Sequence, residues 1–311
     1  MIEPGQSGEC RVRINIDGVL RTVVYGFPCS IHVDPIEKKP LFHFLPGTGI
    51  LSIATVGCNL HCRNCQNWEI SQANPEESHA FVCPPQRLVE LTQRNRCPSL
   101  AYTYTDPIVY YEYTYDTAKL ARDRGIRNVL VTAGYINAEP WKRLLKYIDA
   151  VNIDLKGTTD EFYRRVCSGT LKPVQTALVL AKASGILLEV TNLVIPTLND
   201  KPEQIRELAR WVRANLSSET PLHFSGFFPR YKMRHLPPTS LKTLRMARDI
   251  AVTEGLHYVY IGNVASKTGQ NTYCPRCKSL LIERAGYTIL QNCLVDGRCP
   301  DCSKEIYGVW K

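Results

Sequence analysis

No apolar run in this chain reaches the length of a membrane span, and the opening stretch Met1 to Ser7 carries no apolar signal core. Both absences argue against a secreted or membrane-anchored protein. No Lys/Arg run is long enough to read as a binding tail, although the formal net charge is +9. That charge suits an acidic partner, whether an acidic electron carrier, nucleic acid or a phosphorylated substrate, without choosing among them. Hydrophobic residues make up 44% and charged ones 22%, which excludes a disordered chain. At 311 residues the chain can bury a full core as one large domain with a small appendage.

Cysteine is the residue this chain has in excess, with 13 copies. Seven of them sit in metal-like spacings, which favours a reducing cytoplasm over a disulfide framework. Cys10, Cys29, Cys83, Cys97, Cys167 and Cys293 remain, and read as buried or incidental thiols. The most informative run is Cys58-x3-Cys62-x2-Cys65, directly after the apolar stretch Ile50–Val56. Thiolates are the usual ligands of a four-iron cluster, so three in one loop leave the fourth iron with an open position. An open position separates a catalytic metal from a structural one. Scattered structural thiols or a zinc knuckle would show paired C-x2-C units instead. The spacing resembles the radical S-adenosylmethionine (SAM) superfamily. That resemblance implies a 4Fe–4S cluster whose open iron chelates the amino and carboxylate groups of SAM. Electron transfer into the sulfonium then yields methionine and a 5'-deoxyadenosyl radical.

Three stretches organise the chain. Residues 1–48 read as an N-terminal extension with a β-hairpin turning at Asp17-Gly18. From 49 to 265 strand-like and helix-like segments alternate, which predicts an α/β fold with a parallel sheet. Six βα units, with His257–Ile261 as a candidate extra edge, match the partial (β/α)6 TIM-like barrel of radical SAM enzymes better than a full eight-fold barrel. Residues 270–311 carry Cys274-x2-Cys277 and Cys299-x2-Cys302 around two strand-like segments. Four thiolates at this spacing predict a closed tetrahedral site in a zinc-ribbon-like module, holding Zn2+ or Fe. Such a site stabilises a module too small to build its own core.

Chemistry in α/β barrels lies at the C-terminal ends of the strands, and the polar motifs fall there. In the superfamily an aromatic residue commonly precedes the third cysteine and packs beside the adenine; here Asn64 stands in that place. Tyr104, Thr105 and Asp106 follow the second strand, where hydroxyls and a carboxylate can take the SAM ammonium; an ordinary helix cap fits Asp106 equally. Asp154 and Lys156 lie two apart on one strand face, either as partners of SAM or as a local ion pair. Thr191 and Asn192 lie on opposite faces of their strand, one of which is expected to meet the ribose.

The segments Asp34–Gly47, Gly57–Gln72, Tyr102–Pro107, Pro221–Ser225 and Tyr258–Val264 together resemble a narrower family. It is the radical SAM enzyme of the AmmeMemoRadiSam system, a relative of the pyruvate formate-lyase activating enzymes. The resemblance implies Memo-like and AMMECR-like protein partners, and a one-electron donor such as flavodoxin or ferredoxin. Phe228 stands where relatives tend to have His, which leaves His223 or Arg230 to do that work. His43 and His223 read otherwise as structural.

The leading expectation is therefore a radical SAM enzyme that takes hydrogen from an unidentified substrate. One alternative is a glycyl radical enzyme activase, although residues 66–84 are too short for the ferredoxin-like insertion many activases carry. A different class, an iron–sulfur and zinc protein that binds or modifies nucleic acid, would rest on Arg230–His235, the one stretch mixing basic and aromatic residues.

Overall fold

Period-two alternation sorts the central strands into two faces, and the two faces differ in kind. On β4 (Gly49–Ala54), β5 (Ser99–Tyr102), β6 (Arg127–Thr132), β7 (Ala150–Asp154) and β8 (Leu187–Val194) one face carries Leu51, Ile53, Leu100, Leu130, Val151, Leu188 and Val190. Those side chains are buried in the large core shared with the helices. The opposite face is apolar toward the strand starts, with Ile50, Ala101, Val129, Ala150 and Leu187. Further along it turns small and polar, through Ser52, Asn152, Glu189 and Thr191. An interior of that kind leaves room at one end and fills it at the other.

The computed structural model describes residues 2–266 and 269–311; Met1, at the head of the predicted extension, lies outside them. Its main sheet has eight strands in the order β10-β9-β8-β7-β6-β5-β4-β3. β9 (Leu222–Gly226) and β10 (Val259–Gly262) continue the parallel run, and β3 (Ser30–Pro35) pairs antiparallel with β4. The helices between strands are α2 (Pro85–Arg94), α3 (Tyr111–Asp123), α4 (Ala138–Leu145), α6 (Leu171–Ala183), α7 (Pro202–Asn215) and α8 (Leu241–Thr253). Two single turns, α1 (Trp68–Ser71) and α5 (Asp160–Phe162), lie in loops at the strand ends. The sheet is open, since β3 and β10 end it without pairing to each other. It holds seven parallel strands, because His257–Ile261 does join, as β10.

The segment read as a leading extension does more than lead. β1 (Arg13–Ile16) and β2 (Val19–Thr22) form the expected hairpin. β3 then joins the main sheet, and residues 36–45 enter its interior as a plug. Ile36, Leu41 and Phe44 are wholly buried against the apolar strand starts, about 2 kcal/mol each by area. A buried irregular segment must satisfy its own backbone groups. Here the polar interior does so. Glu189 accepts from His43 N at 2.8 Å, and Asn152 donates to Pro40 O at 2.8 Å. Arg284 donates to Phe42 O at 2.7 Å, and Val309 N to His43 O at 2.7 Å.

Arg284 and Val309 belong to the C-terminal module, whose strands β11 (Thr272–Tyr273), β12 (Leu280–Ala285) and β13 (Thr288–Asn292) form a separate antiparallel sheet. A hydrogen-bond relay ties it to the plug. Arg284 donates to Thr272 Oγ1, Thr272 pairs with Tyr260 Oη at 2.8 Å, and Tyr260 Oη meets His43 Nε2 at 2.6 Å. His43 Nδ1 donates to Tyr307 O, so Nε2 accepts and the ring is neutral. Burial pushes His43 down to about 4, against the opposing pull of Glu189 and the Tyr307 carbonyl. The unfolded chain binds that proton near the ordinary 6.5 and the folded chain only near 4. Stability at this residue is therefore lost as pH falls from about 6.5 to about 4, by about 3 kcal/mol in total. Urea unfolding between those limits should show the loss, and His43→Gln should flatten it.

Candidate active site

Gly57 sets the start of the cysteine loop. Its φ is +94°, and a Cβ there would meet Cys10 O at 2.6 Å, so no other residue fits before Cys58. The loop is then fixed from three sides. His61 N and Arg63 N donate to Cys167 O (3.0 Å) and Val166 O (2.8 Å), at the end of a π-helical turn over Tyr163–Cys167. Asn67 donates to Tyr104 O at 2.7 Å and Asn59 to Tyr135 O at 2.7 Å. Trp68 stacks on Tyr231 with centroids 5.2 Å apart, and Lys232 N donates to Arg63 O at 3.1 Å. Arg230–His235 is thus laid over the cysteine loop.

Cys58, Cys62 and Cys65 all line one cavity of about 550 Å³ at the C-terminal ends of the strands. Cys167, expected to be incidental, lines it too, with its thiol against Cys62. Hydrogen bonding from Cys167 draws Cys62 below the ordinary thiol range although burial opposes it. Burial pushes Cys58 and Cys65 up. Lys156 donates to Asp154 at 2.7 Å on the facing wall. Burial would discharge it, but Asp154, Cys62 and Cys167 outweigh that and hold the ammonium charged.

The cavity brings together Asn64, Tyr104, Thr105, Asp106, Asp154, Lys156 and Thr191. Their free valences differ. Asp106 accepts from Ile108 N (3.1 Å), Thr132 Oγ1 (2.8 Å) and Ala133 N (3.0 Å), so its oxygens mainly cap the helical turn and tie β5 to β6. Thr105 Oγ1 donates to Thr55 O at 2.8 Å. Asn64 Oδ1 and Thr191 Oγ1 are buried with no partner. Asn192 is not among the cavity's lining residues and donates to Leu155 O at 2.7 Å, because strand alternation turns it to the far face from Thr191.

The floor was not legible as a site. Glu37, Lys38, Lys39, Pro40 and Phe42 reach it from the plug, His223 and Ser225 from β9, and Gln270, Gly286 and Tyr287 from the C-terminal module. Lys39 pairs with Asp34 at 2.6 Å beside Lys38 at 2.8 Å, and Tyr104 Oη also donates to that carboxylate. Burial would push Asp34 up, but the bonds from Lys38, Lys39 and Tyr104 hold it well below the carboxylate range. Burial brings Lys39 down to about 8 against the pull of Asp34. Tyr104 sits at φ +62°, a strained conformation for a bulky residue, which aims its hydroxyl at Asp34. His223 Nε2 donates to Glu189 Oε2 at 2.6 Å, both nearly wholly buried. Glu189 and His223 share the inward face in the parallel register, a signal the alternation of both strands already carried.

Away from this cavity, Cys274, Cys277, Cys299 and Cys302 place their sulfurs within 4.8 Å of one another, an arrangement that can hold a metal ion. Among the described residues no helix is long and apolar enough to cross a membrane.

Comparison with known proteins agrees with this geometry. Residues 52–212 match the family model of the radical SAM superfamily. An uncharacterised protein of Methanocaldococcus jannaschii is 50% identical over 308 residues, spanning 98% of this chain and 92% of its own. The pyruvate formate-lyase-activating enzyme of Clostridium pasteurianum is 24% identical over 171 residues, 54% of this chain and 71% of its own. Two solved structures share the fold at low identity. A radical SAM methyltransferase from Sphaerobacter thermophilus has a TM-score of 0.54 at 14% identity, over 72% of this chain and 70% of its own. SuiB of Streptococcus suis reaches 0.55 at 13% identity, over 73% of this chain and 52% of its own.

Proposed function

The chain belongs to the radical SAM superfamily, and from that premise we propose that it cleaves SAM reductively and uses the radical to take hydrogen from a substrate. The observation that carries this reading is the convergence of Cys58, Cys62, Cys65 and the Lys156–Asp154 pair on one cavity. The residues present fit a 4Fe–4S cluster with SAM. Three thiols that form no disulfide face the cavity, and two buried polar atoms there, on Asn64 and Thr191, lack partners. Bound there and reduced, the cluster would supply the electron for reductive cleavage of SAM to methionine and a 5'-deoxyadenosyl radical.

The chain's own groups do the rest. Lys156, kept charged by Asp154, would hold the SAM carboxylate. Asp106 and Thr105 position the strand ends, and Thr191 Oγ1 is free for a ribose hydroxyl. Enzymes of this superfamily need an electron donor, and the +9 charge suits an acidic one such as flavodoxin or ferredoxin. The motifs from Asp34 to Val264 support the narrower assignment to the AmmeMemoRadiSam system, with Memo-like and AMMECR-like partners, acting in a reducing cytoplasm. The likeness to the Clostridium pasteurianum activating enzyme favours the activase alternative. In the C-terminal site, four thiolates in a small module favour zinc.

Anaerobic reconstitution, reduction and assay for 5'-deoxyadenosine test the proposal. Lys156→Met should raise the half-saturating SAM concentration by roughly ten-fold or more through loss of a charge-assisted bond, with the iron content retained. An unchanged SAM dependence would remove Lys156 from the SAM site.

A further inference from the structure

If the cavity is a radical site as proposed above, its floor decides what can enter it. An open barrel can admit a segment of another protein from below or through its flank. In this chain the plug closes the base, with Ile36 and Phe44 wholly buried and its backbone bonded to Glu189, Asn152 and Arg284. The flank beside β10 is covered by the C-terminal module. Ile261 N donates to Gly269 O at 2.8 Å, and Tyr260 pairs with Thr272. Arg284, 4% exposed, lies over the Phe42 ring at 4.4 Å. The β12–β13 turn then brings Gly286 and Tyr287 to the cavity wall, with Gly286 N donating to Gln270 Oε1 at 3.1 Å. A cavity of about 550 Å³ must take the cluster and SAM first, so the remaining room is that of a small molecule.

The chemistry of that floor is specific. Glu189 is buried, and its carboxylate can only accept, so His223 Nε2 donates to it and Nδ1 is left without a partner in the chain. Phe42 meets the His223 ring edge-on at 4.9 Å and fixes its plane. Glu37 is 2% exposed, accepts Gly47 N with Oε1 at 2.8 Å, and leaves Oε2 without a partner. Both residues line the cavity. The buried Glu37 Oε2, which nothing in the chain satisfies, and the unpaired His223 Nδ1 beside the cavity ask for hydrogen-bonding partners from outside.

We infer that the substrate is a small polar molecule with hydrogen-bonding groups, received on the plug side of the cavity by His223 and Glu37 and covered by Tyr287. Glu189 is the positioning residue that holds the His223 ring through Nε2. The plug and the C-terminal module close the base and the flank to a glycyl residue within a folded partner.

The reduced holoenzyme with SAM is assayed for 5'-deoxyadenosine alone, with an ultrafiltrate of cell extract freed of macromolecules, and with the retained macromolecules. Product formed without additions reports the SAM-cleavage proposal by itself. The size limit expects stimulation by the ultrafiltrate and none by the retained fraction. His223→Gln and Tyr287→Ala should each raise the half-saturating amount of ultrafiltrate by roughly ten-fold, the loss of one good contact. The change in the cluster's EPR spectrum on adding SAM shows, in each variant, that the SAM end of the site is assembled. Stimulation by the retained fraction, or by neither fraction of an enzyme with basal product, overturns the inference. So does a full response from both variants. No product under any condition overturns this inference together with the function it rests on.

Discussion

Cys62→Ala gives a folded protein that no longer retains a four-iron cluster on reconstitution and makes no 5'-deoxyadenosine above background. Its fold should survive, because the loop is fixed by backbone bonds at His61, Arg63 and Cys65 rather than by the thiol. Its cluster should not. Cys62 lines the cavity between Cys58 and Cys65 in the loop, with Cys167 against it. Removing Cys62 leaves two thiolates for a site that needs three. Cys97→Ala is the matched control: buried and remote from the cavity, it should leave iron and product unchanged. Iron analysis and the visible absorbance of the cluster settle the comparison. Full iron in Cys62→Ala would sink this ligand set, and Cys167, against Cys62 in the same cavity, would be the first replacement to test.

How far the sequence carried can be judged at particular residues. Cys58, Cys62 and Cys65 were legible because ligand spacing is local, and one loop must present all three. The strands and helices from Ile50 onward were legible because each buries one face, which stamps a period on the sequence. The plug was not. Residues 36–45 have no regular period, and their burial depends on Asn152, Glu189, Arg284 and Val309, far away in the chain. His223 looked structural alone and joins the cavity only through the pairing of β8 with β9. Of the two faces offered at Thr191 and Asn192, only the first meets the cavity. The polarity of Asn192 suggested a ligand contact, while its place on the strand sends it to the Leu155 carbonyl. Cys167 followed the general rule for lone thiols until the loop at His61–Arg63 closed on it.

Stripping the metal from the C-terminal four-thiolate site, or replacing Cys277 and Cys299 by serine, should unfold the C-terminal module and loosen the active-site floor with it. The reason is the way the ligands share a core. Cys274 and Cys299 are buried in one cluster with Leu281, Ile282, Ile306, Tyr258, Tyr260 and Phe42. That cluster is too small to hold without a staple, and structural zinc contributes on the order of 10 kcal/mol to comparable modules. Hydrogen bonds from Ser279 bring Cys277 down to about 6, so this exposed thiol is ready to bind metal at neutral pH. Loss of the metal frees Arg284 from the Phe42 carbonyl, and Phe42 from the edge of His223. Hydrogen exchange should then show β12 and β13 unprotected, with β4 to β8 still protected by the larger core. The melting temperature should fall by about 10 °C or more, the scale of losing several kcal/mol in a chain of this size. Unchanged protection in β12 and β13 after metal removal would mean that contacts to the plug alone hold the module. The metal would then be dispensable for the cavity, whose floor would stand on Arg284, Tyr307 and Val309.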